Sequence, residues 1–206
     1  NQYSLENDAV FTYANASYTG STYNGTVFFV DWWEDGNASD DWNGTAGSGT
    51  ISINSGDPIN GTGSVQVDRP GGSNSIYLEK YLAEMNETYI QFKMRLNTTS
   101  GSTSFYVLRG RNGAFNLFSY WLRSDNDQVF QSFGADSSTI GDENVIIQPN
   151  RTHLIEVHWN NSETKGAIEF WCNGSLIEAK YDFNTTEYGA CDHLLFGVPY
   201  KNLGNN

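Results

Sequence analysis

An all-β, antiparallel β-sandwich is the fold this sequence predicts, and three observations carry the prediction. Apolar and polar residues alternate in short runs, the period-2 signature of strands with one buried face. Gly and Asn punctuate those runs, with 21 Gly in 206 residues. Aromatic residues make up 15% of the chain, a composition suited to pleated sheets and tight turns rather than helices. A chain of this length can bury a core as one domain without disulfide or metal staples.

Residues 1–26 are polar and Asn-rich, with one alternating stretch at 9–14 (AVFTYA), and read as an extended N-terminal arm preceding a sandwich over residues 27–206. A strongly apolar strand at 26–33 (TVFFVDWW) ends at the turn Glu34-Asp35-Gly36. A short strand at 49–54 (GTISIN) interrupts a Gly-, Asn- and Ser-rich region. Alternation returns at 64–68 and 75–80, and is clearest at 88–96 (TYIQFKMRL). There Ile90, Phe92, Met94 and Leu96 face a core, while Tyr89, Gln91, Lys93 and Arg95 point away from it. Residues 81–87 (YLAEMNE) read as two helical turns. Further strands are expected at 104–109, 115–123, 128–133, 153–159, 167–172, 176–181 and 193–198, with Trp159 and Trp171 at inward positions. Asn173-Gly174 accepts the positive φ of a type I′ hairpin turn.

With 24 acidic and 11 basic residues, the formal charge of −13 works against binding to phosphate backbones and anionic lipid surfaces. No run approaches the roughly 18 apolar residues of a membrane-spanning helix. The chain opens on Asn rather than Met, the pattern expected of a processed, exported terminus. Eleven N-x-[ST] sequons, at Asn15, Asn24, Asn37, Asn43, Asn60, Asn86, Asn97, Asn150, Asn160, Asn173 and Asn184, point to an extracellular or cell-surface protein carrying N-glycans. In such a compartment Cys172 and Cys191 could pair and contribute roughly 3 kcal/mol by loop entropy. The alternative is two buried free thiols on different strands.

The order of FFVDWWEDG, GTGSVQVD, TYIQFKMRL and, above all, HLIEVHWNNSETKGAIEFWCNGSLIEAKYD resembles the concanavalin A-like jelly roll, particularly laminin G-like modules, over residues 27–200. Such modules often hold Ca²⁺ near the acidic turn after the first strand, which implies Glu34, Asp35 and Asp68 as ligands. They also usually close with one more strand beside the opening one, and this chain ends at KNLGNN without it. The resemblance speaks to fold more than to activity.

Catalytic signatures are missing. Glycosidases of related fold carry two carboxylates on one strand in an E-x-D-x-x-E or E-x-D-x-E run, which this sequence lacks, so no enzymatic activity is expected. His153, Glu156 and His158 could suggest a metal site, but on a strand His153 points away from the other two. Trp42, in a loop, is the candidate for stacking on a sugar ring. The function expected is a non-catalytic structural or adhesive glycoprotein that self-associates into a homopolymer by donor-strand complementation. Residues 9–18, with Val10, Phe11, Tyr13 and Tyr18, would be the donor, unless the arm folds back on its own sandwich. The alternative is a carbohydrate-binding module with a glycan ligand.

Overall fold

The computed structural model describes residues 3–11, 29–30, 42–47, 49–56, 64–69, 75–96, 103–125, 128–135, 138–141, 148, 150–187, 189–198 and 201–202. In chain order the strands are β1 (Tyr3–Phe11), β2 (Phe29–Val30), β3 (Gly44–Gly47), β4 (Thr50–Asn54), β5 (Ser64–Arg69), β6 (Ile76–Met85), β7 (Glu87–Leu96) and β8 (Thr103–Asn112). They continue as β9 (Phe115–Asp125), β10 (Gln128–Ala135), β11 (Ser138–Gly141), β12 (Thr152–Asn160), β13 (Gly166–Cys172), β14 (Ser175–Phe183), β15 (Cys191–Val198) and β16 (Lys201–Asn202). Two antiparallel sheets result. The first runs β14-β13-β12-β7-β1-β5-β4 with β2 beside β1, and the second runs β11-β10-β9-β8-β15-β6-β3 with β16 beside β8.

The core lies between the sheets and is built from the inward halves of the alternating strands. Phe92 of β7 meets Phe196 of β15 edge-on at 5.1 Å, and Tyr120 of β9 stacks on Phe170 of β13 at 5.0 Å. Both ring pairs join one sheet to the other, and aromatic pairs of this kind add to area burial. The outward residues of β7 and β12 include Tyr89, Gln91, Glu156 and His158, so the alternation read from 88–96 is the alternation of the sheet.

Several expectations change. Residues 81–85 are strand, not helix, because Tyr81 pairs with His193 and Met85 with Cys191 on β15, and cross-strand bonding overrides a weak local helix preference. The arm is not separate from the sandwich. Its residues Tyr3–Phe11 form β1, in register with β7 (Ala9 with Phe92) and with β5 (Asn7 with Val65). The chain thus fills in cis the place that a donor strand would occupy, with Val10 and Phe11 pairing β2. Tyr13 and Tyr18 lie outside the described residues.

The disulfide does not form. Cys172 and Cys191 are both free and buried, on β13 of the first sheet and β15 of the second. Cys172 is in register with Ile155 and, through it, with Phe92. Cys191 lies beside Thr88, four residues along β7, or about 13 Å. A disulfide needs Cα atoms within about 7 Å. Burial pushes each thiol up to about 11, above the ordinary 9. The stability tied to the two protonated thiols is therefore complete below pH 9 and is lost as pH rises through about 11. Both thiols are expected to stay unreactive toward an aromatic disulfide reagent in the native protein at pH 8 and to react together on unfolding. Fast labelling of either thiol in folded protein would contradict this placement.

Candidate functional site

Side chains of four strands that sequence reading could not bring together meet on the outer face of the first sheet. On β7, Glu87, Tyr89 and Gln91 point outward; their partners on β12 are Asn160, His158 and Glu156. Next along, β13 places Glu169 beside His158 and Trp171 beside Glu156, and β14 at the sheet edge brings Tyr181 opposite Ala167. The residues are outward because the inward slots of the same strands are taken by core side chains such as Phe92, Val157, Trp159 and Phe170.

His158 is the centre of the array. It is only 7% exposed, and the Tyr89 ring stacks flat on it, with centroids 4.1 Å apart and planes 5° from parallel. Its Nδ1 lies 3.0 Å from Glu169 Oε2 and its Nε2 3.0 Å from Glu87 Oε1. A neutral imidazole has one N–H, so both contacts are hydrogen bonds only when both nitrogens carry hydrogen. The Tyr89 hydroxyl donates to the same Glu87 oxygen at 2.8 Å, and Gln91 Nε2 donates to Glu156 Oε1 at 2.8 Å. Tyr181 donates to Glu169 Oε1.

The electrostatics follow. The hydrogen bond from His158 holds the Glu169 carboxyl below its ordinary value, against the opposing effect of burial and with help from Tyr181. The hydrogen bond to Glu169 in turn raises the Tyr181 phenol to about 12. Because the Glu169 value is depressed in the folded protein, its stabilising contribution is present above pH 4.5 and is lost as pH falls through the lowered value. Glu169→Gln is expected to flatten the acid limb of the stability profile, measured by urea unfolding from about pH 3 to 7. An unchanged limb would show that the His158–Glu169 bond carries no linkage.

At the rim the aromatic and apolar surface opens to solvent: Tyr181 is 51% exposed and Leu176 45%. The face therefore combines three carboxylates, an amide and an imidazole with flanking rings. It is an arrangement able to receive hydroxyl donors and to cover an apolar ring face.

The other predicted residues distribute as follows. Trp42 is 6% exposed and stacks on Phe196 at 6.0 Å, so it belongs to the core and offers no platform for a sugar. Trp171, expected inward, is outward, because the inward set of β13 is Ile168, Phe170 and Cys172. His153 faces the core side, away from Glu156 and His158, with Nε2 3.3 Å from the Gln148 carbonyl, and burial lowers its proton affinity. Among the described residues no group of three or more His, Cys, Asp or Glu side chains could hold a metal ion. Glu34 and Asp35 lie outside the described residues, and Asp68 is placed by backbone only, in β5 opposite Ser4 and Thr50.

Of the sequons, Asn43, Asn86, Asn150, Asn173 and Asn184 are exposed, and Asn160 is half-buried at the end of β12. Asn15, Asn24, Asn37, Asn60 and Asn97 lie outside the described residues. The Oδ1 atoms of Asn43, Asn86 and Asn184 accept hydrogen bonds, from Tyr81 N, Asn161 Nδ2 and Thr186 N respectively. An N-glycan attaches to the amide nitrogen, so it would leave these carbonyl bonds in place. No helix among the described residues is long and apolar enough to cross a membrane.

The residues that sequence reading missed are Glu87, Tyr89, Gln91, Glu169 and Tyr181. The alternation already put Tyr89 and Gln91 on a polar face; the missing information was which strands are neighbours. No protein-family model and no curated protein sequence matches the chain. A solved structure described as "Cellulose induced protein, Cip1" is similar to it, with a TM-score of 0.54 and 19% identity, covering 80% of this chain and 82% of that one. That likeness is one of fold, and it supports an antiparallel β-sandwich of jelly-roll type without singling out the laminin G-like modules.

Proposed function

We propose that the chain is an extracellular, N-glycosylated, non-catalytic β-sandwich that binds carbohydrate on the outer face of its first sheet. The observation that carries the reading is the hydrogen-bonded array around His158, walled by Tyr89, Trp171 and the exposed Tyr181. Hydroxyl groups of a sugar would donate to Glu87 and Glu169, while a ring face would rest on the Tyr181 phenol. The carboxylates and the overall charge of −13 disfavour polyuronates and favour neutral sugars. The name of the similar structure, a cellulose-induced protein, makes cello-oligosaccharides the first ligands to test.

Calorimetric titration is expected to show binding of a neutral cello-oligosaccharide and none of an oligogalacturonate. Tyr181→Ala should weaken the first by about tenfold, corresponding to ~1.4 kcal/mol for one lost aromatic contact. If no neutral glycan binds, or if Tyr181→Ala changes nothing, the face is not the site.

A further inference from the structure

Six sequons fall wholly on described residues, and they differ in the residue two places on, whose hydroxyl completes the motif. Thr45, Thr152 and Ser175 are exposed, and Ser162 and Thr186 are half-buried. Among these six, only the sequon of Asn86 has a buried hydroxyl residue, Thr88, at 1% exposure. Asn86 itself is exposed, so this sequon presents its amide to solvent and its hydroxyl to the interior.

Strand geometry causes the split. Asn86 is the single residue between Met85, the end of β6, and Glu87, the start of β7, where the chain passes from one sheet to the other. Thr88 takes the inward phase that it shares with Ile90, Phe92 and Met94. It is in register with Trp159 on β12, and its side chain lies against the Cys191 thiol of the facing sheet. Asn86 is held in place too: its carbonyl accepts from Asn161 N at 2.6 Å, and its Oδ1 from Asn161 Nδ2 at 3.0 Å.

N-glycosylation joins the asparagine Nδ2 to the anomeric carbon of an oligosaccharide carried on a polyprenyl diphosphate. The anomeric C–O bond breaks, the polyprenyl diphosphate leaves with the electron pair, and Nδ2 gives up one proton. A transferase that reads the hydroxyl of the motif has to reach it. In the folded chain that means parting β7 from β12 at Trp159 and opening the space between the sheets, a rare excursion. During synthesis the same hydroxyl is accessible, because Trp159 follows Thr88 by roughly 70 residues, or several seconds at about 5–20 residues per second.

We infer that Asn86 is a fold-gated glycosylation site: it accepts an oligosaccharide only before β7 joins β12, and the finished fold closes it. Asn150, exposed in a turn with Thr152 exposed at the start of β12, stays open to transfer afterwards. This rests on the N-glycosylated reading above and is independent of sugar binding on the outer face. A glycan placed early does not obstruct folding, because the Asn86 side chain is exposed and Asn161 bonds its oxygen rather than its nitrogen.

The test is cell-free synthesis of the full chain with a purified oligosaccharyltransferase and a polyprenyl-diphosphate-linked oligosaccharide, present from the start or added only after folding. Glycopeptide mass spectrometry reads occupancy at both residues. The expected result is similar occupancy of Asn150 in the two orders and, at Asn86, a drop of about tenfold or more on late addition. Trp159→Ala, which loosens the packing beside Thr88, is expected to raise the late occupancy of Asn86. Equal occupancy of Asn86 in both orders, no occupancy in either while Asn150 is modified, or no rise in the Trp159→Ala chain would overturn the inference. Modification of neither residue in either order would overturn the N-glycosylated reading itself, and the inference with it.

Discussion

Replacing Trp159 by alanine is expected to lower the unfolding free energy by about 3–5 kcal/mol, the range for truncating a large buried aromatic. Trp159 is 1% exposed on β12, and its ring lies 5.9 Å from that of Phe118 on β9 of the facing sheet. The loss has two parts: apolar surface no longer removed from water, and a cavity between two sheets whose backbone ladders prevent full collapse. Urea unfolding monitored by far-UV dichroism would measure it. A loss below about 1 kcal/mol would mean that the two sheets are not packed on this side chain. The same residue lies one position from His158, so the variant also tests whether the outer face depends on the core beneath it.

Gly110→Ala is the second large effect, expected to cost about 1–3 kcal/mol through overpacking. Gly110 is on β8, in register with Phe118 on β9 and Leu194 on β15. The Phe118 ring, 1% exposed, lies over the glycine so closely that a Cβ would overlap its carbon atoms. The ring has nowhere to go, because Trp159 borders it from the other sheet. Thermal unfolding of Gly110→Ala beside a Gly113→Ala control discriminates space from backbone freedom. Gly113 has φ +50, and a Cβ there would meet nothing within 4 Å, so only its conformation is penalised. A Gly110→Ala variant as stable as the parent would contradict the packing of Phe118.

Much of the fold could be read from periodicity. The stretch 88–96 gave both faces of β7, and Asn173-Gly174 gave the β13–β14 turn, where both residues have positive φ, at 52° and 77°. What periodicity could not supply was pairing. It assigned Trp171 to the interior because a lone strand offers no reference for which face is inward; the companions Phe170 and Cys172 decide it. It placed Trp42 in a loop, where it is, but took it for an exposed sugar platform, whereas the indole packs on Phe196, far away in sequence. It read 81–87 as helix because the residues YLAEM favour helix locally, while the partners on β15 extend the strand. The cysteines were near in sequence and far apart in space for the same reason: β13 and β15 belong to opposite sheets.

The candidate site shows the same limit more sharply. A search for an E-x-D-x-x-E or E-x-D-x-E run finds none, yet Glu87, Glu156 and Glu169 come from three adjacent strands and converge on one face. Their convergence follows from the order β13-β12-β7, which no single stretch of sequence encodes. The hydrogen bonds they make with His158, Gln91 and the tyrosines fix side chains that would otherwise be mobile, and a pre-ordered polar surface loses less entropy when a sugar docks. The rigid array next to the exposed Tyr181 is what distinguishes this face from an ordinary solvated sheet.

The most direct measurement is an amide and side-chain chemical-shift map of the isotope-labelled protein during titration with a neutral cello-oligosaccharide. The account predicts saturable shifts confined to β7, β12, β13 and β14, including the Gln91 side-chain amide and the Trp171 indole N–H. Shifts centred instead on the outer face of the second sheet, around Tyr81 and His193, or no shifts at any ligand concentration, would contradict it.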